Sequence, residues 1–260
     1  MTVVFWVLSG KKIKRFAVIG TALLFALGLY YANQQQINVF SLQEEGPQAY
    51  YSVETDQKVA ALTFDISWGE EIPGPVLDAL EESDVDKATF FLSSPWAENH
   101  PDIVQRIVDM GYEVGNHGHE HKNYSEQDEK WMRDQITKSH QILTELTGQK
   151  INLIRLPNGD FDKRTLEVAD SMGYRVIQWD TDSLDWMRKS ADEIVDRVVS
   201  KVHPGDIILF HASDSAKNTA EALPRVVKEM RAKGYKLVTV SELIAGSTVE
   251  TDPVEDAKSE

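Results

Sequence analysis

The groups in this sequence able to move protons or hold a cation are seven histidines and a large set of carboxylates, and no cysteine competes with them. The informative ones fall in five short runs. "LTFDISWG" ends an apolar stretch in Asp65 and follows it at once with Ile66. "GNHGHEH" places His117 and His121 four apart, with His119 between them. "LIRLPNGDFD" brings Arg155 out ahead of a turn at Pro157, Asn158 and Gly159. "WDTDSLDW" sets Asp182 and Asp185 between Trp179 and Trp186, and "GDIILFHASD" delivers His211 after an apolar run containing Leu209. Two neutral imidazoles at that spacing can share a divalent ion. A carboxylate and an imidazole facing one cleft can act as general base and general acid. Carboxylates framed by tryptophans suit a pocket for sugars. Each run alone also reads as ordinary structure: a polar turn, a surface ion pair, a loop of satisfied carboxylates, a core histidine.

The elements that must position these groups give them a common address. From Lys58 the chain alternates short β-branched or aromatic runs with amphipathic stretches such as "PDIVQRIVDMG" and "ADEIVDRVVSKV". Strands are expected at 59–65, 88–93, 113–117, 153–157, 176–182, 206–211 and 236–240, with helices between them. Such alternation implies an α/β fold with a mostly parallel sheet, open or closed into a barrel. Asp65, His117, Arg155, Asp182, Asp185 and His211 then lie at or just past the C-terminal ends of expected strands. That is the face on which parallel α/β proteins build their sites.

Both ends of the chain read differently from this middle. Lys11, Lys12, Lys14 and Arg15 precede an uncharged apolar run over 16–32. A basic cluster ahead of about 17 apolar residues predicts a single-pass signal-anchor with its basic side cytoplasmic and the remainder outside the cytoplasmic membrane. Residues 33–57, rich in Gln, Glu and Ser, are expected to be a linker, and the acidic residues 246–260 a solvated tail. The body of the fold is thus expected at 58–245. A formal charge of −15 opposes general affinity for nucleic acid, whose phosphates need neutralising. The absence of cysteine excludes disulfides and thiolate metal sites. Oligomeric state leaves no mark in the sequence.

The ordered set "TFD", "HGHEH", "RLPNG", "DSLDW" and "LFH" resembles the five motifs of the polysaccharide deacetylase family, or NodB homology domain, over residues 58–245. The wording of "LTFDISWG" and "FHASDSAKNT" is similar to the PdaB-type sporulation deacetylases of spore-forming Gram-positive bacteria. The resemblance implies a distorted (β/α) barrel of about seven parallel strands and an N-deacetylase acting on amino sugars of cell-wall peptidoglycan. It implies Asp65 as general base, Arg155 as its charge partner, and His211 as general acid oriented by Asp185. It further implies His117 and His121 as ligands of a divalent metal, zinc or cobalt. Trp186, Leu209, Asp182 and Pro157 match residues around the substrate. At one position the sequence departs from the pattern: the third metal ligand, an Asp after the base, is here Ile66. That change removes the anionic ligand and implies a metal weakly bound or absent. A wall-binding protein without catalysis, and a hydrolase of another amide or ester, both remain compatible with these motifs.

Overall fold

A computed structural model of the protein describes residues 46–246. Its parallel ladder runs β1 (Ala49–Tyr50), β6 (Arg175–Ile177), β5 (Leu153–Ile154), β4 (Glu113–Asn116), β3 (Thr89–Leu92), β2 (Val59–Ile66), β8 (Asp206–His211) and β7 (Thr181–Asp182). A short β9 (Lys236–Leu237) pairs with the start of β2. Helices connect these strands, and the sheet curls into an α/β half-barrel. β2 is buried along nearly its whole length, which is why it reads as one apolar run rather than an alternation. Two cores follow from the side-chain alternation. Leu62, Phe64 and Phe210 join the large layer between sheet and helices, whereas Ala61, Phe91, Leu153, Ile177 and Ile207 form a smaller inner one.

The helices begin where local chemistry tells them to. Ser190 and Glu193 form a capping box at the head of the helix Ala191–Lys201, and Thr239 with Glu242 does the same for Val240–Ala245. Asp128 caps the long helix Glu129–Thr147 by accepting from Trp131 N. Every expected strand has a counterpart, with three differences. The expected strand at 176–182 is two strands, because the chain leaves β6 to pass Gln178 under β1 before β7 pairs with β8. The strand expected at 236–240 is cut short by the Thr239 cap, so that Val240 starts a helix. The strand at 153–157 stops at Ile154, because a tight turn over Pro157–Gly159 follows.

The expected linker at 33–57 is corrected at its far end. Ala49 and Tyr50 pair with Val176 and Ile177, and Ser52 bridges Asp206 at the start of β8. Val53 is buried in the inner core. The physical reason is that the ladder needs an edge beside β6, and "AYYSV" supplies it despite polar neighbours. The expected transmembrane run at 16–32, and all but the first residue of the acidic tail, lie outside the described residues. Among the described residues no helix is long and apolar enough to cross a membrane.

The join between this edge segment and the barrel allows no side chain. Gly205 has φ of +82°, and a Cβ there would stand 1.8 Å from Val53 O. Gly205→Ala is therefore expected to cost more than about 1 kcal/mol in chemical denaturation, a positive φ and a backbone clash acting together.

Candidate active site

The wall of the site nearest β2 is organised by one guanidinium. Arg155, just past β5, is wholly buried. Its Nη1 donates to Thr63 Oγ1 and to Asp65 Oδ1, each at 2.8 Å, and its Nη2 donates to Gln178 O at 2.8 Å. The group also lies over the rings of Phe91 and Trp179, 4.3 and 5.4 Å from their centroids. Burial opposes ionisation of Asp65. The charge and hydrogen bond of Arg155, helped by the imidazoles, outweigh it and hold the carboxyl below its ordinary value. Asp65 is therefore a carboxylate, able to act as a base, at neutral pH.

His117, at the end of β4, is fixed by the same residue. Its Nδ1 donates to Arg155 O at 2.7 Å, leaving the Nε2 lone pair facing the cleft, 3.9 Å from Asp65 Oδ2. Burial pushes its pKa down to about 4, so it is neutral at pH 7. His121 stands edge-on to it with ring centroids 5.6 Å apart, and burial lowers its pKa as well. The donor set for a metal stops there. Ile66, next to Asp65 on the strand, points to the opposite face and is fully buried in the outer core. His119 Nδ1 is engaged with Ser94 Oγ at 2.8 Å, and the Asp160 carboxylate accepts from Ser125 N and Oγ at 2.8 and 2.9 Å. Among the described residues no group of three His, Cys, Asp or Glu side chains could hold an ion. The residues present do not fit a three-ligand metal centre.

Beside Asp65, on the neighbouring strand β8, stands a second hydrogen-bonded pair. Asp185 Oδ1 accepts from His211 Nδ1 at 2.8 Å, while its Oδ2 accepts from His211 N at 2.8 Å and from Thr219 Oγ1 at 2.7 Å. Burial opposes charge on His211, but the hydrogen bond and charge of Asp185 prevail and raise its pKa above 6.5. With Nδ1 committed, Nε2 is the atom free to give a proton into the cleft. Asp185 reaches this position through a turn at Asp185–Met187 flanked by Leu184 and Arg188, both at positive φ (56° and 57°). Non-glycine residues hold such a conformation only where the surroundings enforce it. The strained turn points Asp185 inward and leaves Trp186 at the rim.

Asp65, His117, His121, Asp182, Trp186, Leu209 and His211 all line one cleft of about 260 Å³. Asp185 and Arg155 sit directly behind that lining. Pro157 is not on the wall. It is buried at the start of its turn, and Asn158 and Gly159 beside it line the cleft. Sequence reasoning missed Thr63, Thr219 and Gln178, which hold the charged groups through single hydrogen bonds. Thr63 could have been found as the inward neighbour two residues before Asp65. Thr219 closes the run "FHASDSAKNT" and opens the helix Thr219–Ala232, but nothing local shows that it would reach Asp185.

A half-barrel whose adjacent strand ends carry an ion-paired carboxylate beside a carboxylate-oriented histidine defines a hydrolase-type acid–base site. The chain belongs to the polysaccharide deacetylase family. The profile described as polysaccharide deacetylase matches residues 52–177. The peptidoglycan-N-acetylglucosamine deacetylase of Bacillus cereus is 35% identical over 189 residues, covering 72% of this chain and 68% of that protein. An uncharacterised Bacillus subtilis protein, YlxY, is 30% identical over 83% of this chain, which spans 66% of YlxY. Among solved structures, the family 4 carbohydrate esterase pseudoenzyme BA3943 of Bacillus anthracis superposes with a TM-score of 0.72 and 34% identity. That match covers 76% of this chain and 69% of the other. The family is one of hydrolases acting on N-acetyl amide bonds.

Two outcomes follow from the charged pairs. Arg155→Leu strands Asp65 as an unpaired buried carboxylate and is expected to cost about 3–5 kcal/mol in denaturant unfolding. The double variant with Asp65→Asn should lose less than that single change. His211 should titrate by NMR above its ordinary midpoint of 6.5, and Asp185→Asn should lower that midpoint. A raised folded-state pKa gives stability that is present at low pH and lost as pH rises through the raised value. The Asp185→Asn penalty should therefore be largest below pH about 6 and shrink as pH rises through the raised midpoint.

Proposed function

We propose that this chain is an N-deacetylase of peptidoglycan amino sugars, held on the outer face of the cytoplasmic membrane by its first 32 residues and serving spore formation. The observation that carries the reaction is the presence of two charge-set pairs on adjacent strand ends of one cleft, Asp65 with Arg155 and His211 with Asp185. Asp65 takes a proton from a water that attacks the acetyl carbonyl carbon. The tetrahedral adduct collapses with breakage of the C–N bond, and His211 Nε2 gives its proton to the departing nitrogen. The products are acetate and a free amino sugar. Arg155 keeps the base charged, and Asp185 keeps the acid protonated and aimed. The names of relatives that act on peptidoglycan support the substrate class. The basic-then-apolar N-terminus supports the location.

A second reading has its own observation. Ile66 stands where the family has its third metal ligand, and a structural neighbour is described as a pseudoenzyme. On that reading the chain binds cell-wall glycan without cleaving it. The family implies a divalent metal, for which this chain offers two imidazoles, and no step above is assigned to it.

The two readings separate in a single assay. Acetate release is measured from peptidoglycan fragments and N-acetylglucosamine oligomers, with and without added Zn²⁺ or Co²⁺. Release by the native chain and none from Asp65→Asn is expected. Intact glycan binding by both with release by neither would establish the silent reading.

A further inference from the structure

The cleft has an aromatic surface that the acid–base machinery does not use. Trp68 is 55% exposed, although it lies only three residues past Asp65 and lines the same cleft. The backbone that carries it is clamped. The carboxylate of Asp214, three residues past His211, accepts from three successive amides of the loop: Glu70 N at 3.1 Å, Glu71 N at 3.0 Å and Ile72 N at 3.1 Å. Gly69 O accepts from Trp96 Nε1 at 2.8 Å. Gly69 itself has φ of +109°, and a Cβ there would stand 2.6 Å from Asp214 Oδ1, so glycine is what lets the loop close on the carboxylate. On one side the loop continues from β2, and on the other it enters the helix Pro73–Glu82.

A flat apolar ring held out at the rim of a polar cleft is suited to a ligand with one apolar face and hydrated edges. A pyranose ring has that form: C–H groups on its faces and hydroxyls around its edge. Stacking on an indole desolvates the ring faces and leaves the hydroxyls free to hydrogen-bond. Fixing the loop beforehand removes the ordering cost that a mobile tryptophan would bring to binding. Trp68 lines the cleft that Asp65 and His211 also line, so a glycan with one unit held at those two groups has its next unit within reach of the indole.

We propose that Trp68 is a sugar-binding platform that stacks on the glycan unit next to the one placed between Asp65 and His211, with Asp214 as the residue that positions it. The proposal rests on the glycan reading given above and adds a subsite to it. It makes the protein selective for chains over single sugars, because the platform has no partner when the glycan is one unit long.

Calorimetric binding of N-acetylglucosamine and its trimer and pentamer tests this, using the 260-residue chain carrying Asp65→Asn so that nothing is turned over. Trp68→Ala is expected to weaken trimer and pentamer binding about tenfold, about 1.4 kcal/mol, with single-sugar binding unchanged. Trp68→Phe, which keeps a flat ring, should retain most of the affinity, and Trp68→Leu, apolar without a ring, should behave as Trp68→Ala. Equal oligomer affinity for parent and Trp68→Ala, or parent-like affinity for Trp68→Leu, overturns the platform and leaves the glycan reading standing. Failure of the parent to bind these oligomers or peptidoglycan fragments overturns both.

Discussion

The buried ion pair between Arg155 and Asp65 is the constraint around which the rest of the site is arranged. A guanidinium with no solvent exposure is tolerable only when its donors are matched, and Arg155 matches them with Asp65, Thr63 and the carbonyl oxygen of Gln178. Those partners belong to β2 and to the chain leaving β6, and the carbonyl of Arg155 itself holds His117 from β4. One side chain and its own peptide group therefore fix the relative positions of three separate strand ends. The same arrangement sets protonation states, since it keeps Asp65 ionised and defines which nitrogen of His117 faces the cleft.

The second pair is built on different principles. Asp185 comes from a turn bounded by two non-glycine residues at positive φ, and its carboxylate is saturated by His211 and Thr219. Here conformational strain is offset by three hydrogen bonds, whereas in the first pair the charge and hydrogen bonds of Arg155 offset the cost of burial. The outcome is a base and an acid with opposite pKa displacements a short distance apart, across neighbouring strands: Asp65 and His211 are direct register partners on β2 and β8. Proximity of that kind is a property of the barrel rather than of either loop.

Ile66 shows what strand alternation does to two neighbouring residues. The alternation of a strand puts Asp65 inward and its neighbour outward, and here the outward position is filled with hydrocarbon continuous with the main core. That choice strengthens packing beneath the helix layer and withholds an anionic donor from the cleft. The residues that follow carry an exposed aromatic ring, Trp68, ahead of loop amides that Asp214 holds.

Much of this was legible in the sequence. The alternation of runs defined a parallel α/β fold. The positions of Asp65, His117, Arg155, Asp185 and His211 at strand ends followed from the same pattern, because periodicity and strand polarity are local properties. Ile66 was conspicuous for the same reason. The tertiary structure alone decided what those groups do to one another. Thr63, Gln178 and Thr219 are ordinary residues until folding brings them within hydrogen-bond distance of a buried charge. His119 and Asp160 look like spare ligands until Ser94 and Ser125 are seen to occupy them. Residues 49–53 read as linker by composition, yet Ala49 and Tyr50 form the edge strand beside β6 and Ser52 bridges Asp206. Composition and spacing determine which chemistry a chain can carry. Pairing and occupancy depend on non-local contacts, and those exist only after the barrel has formed.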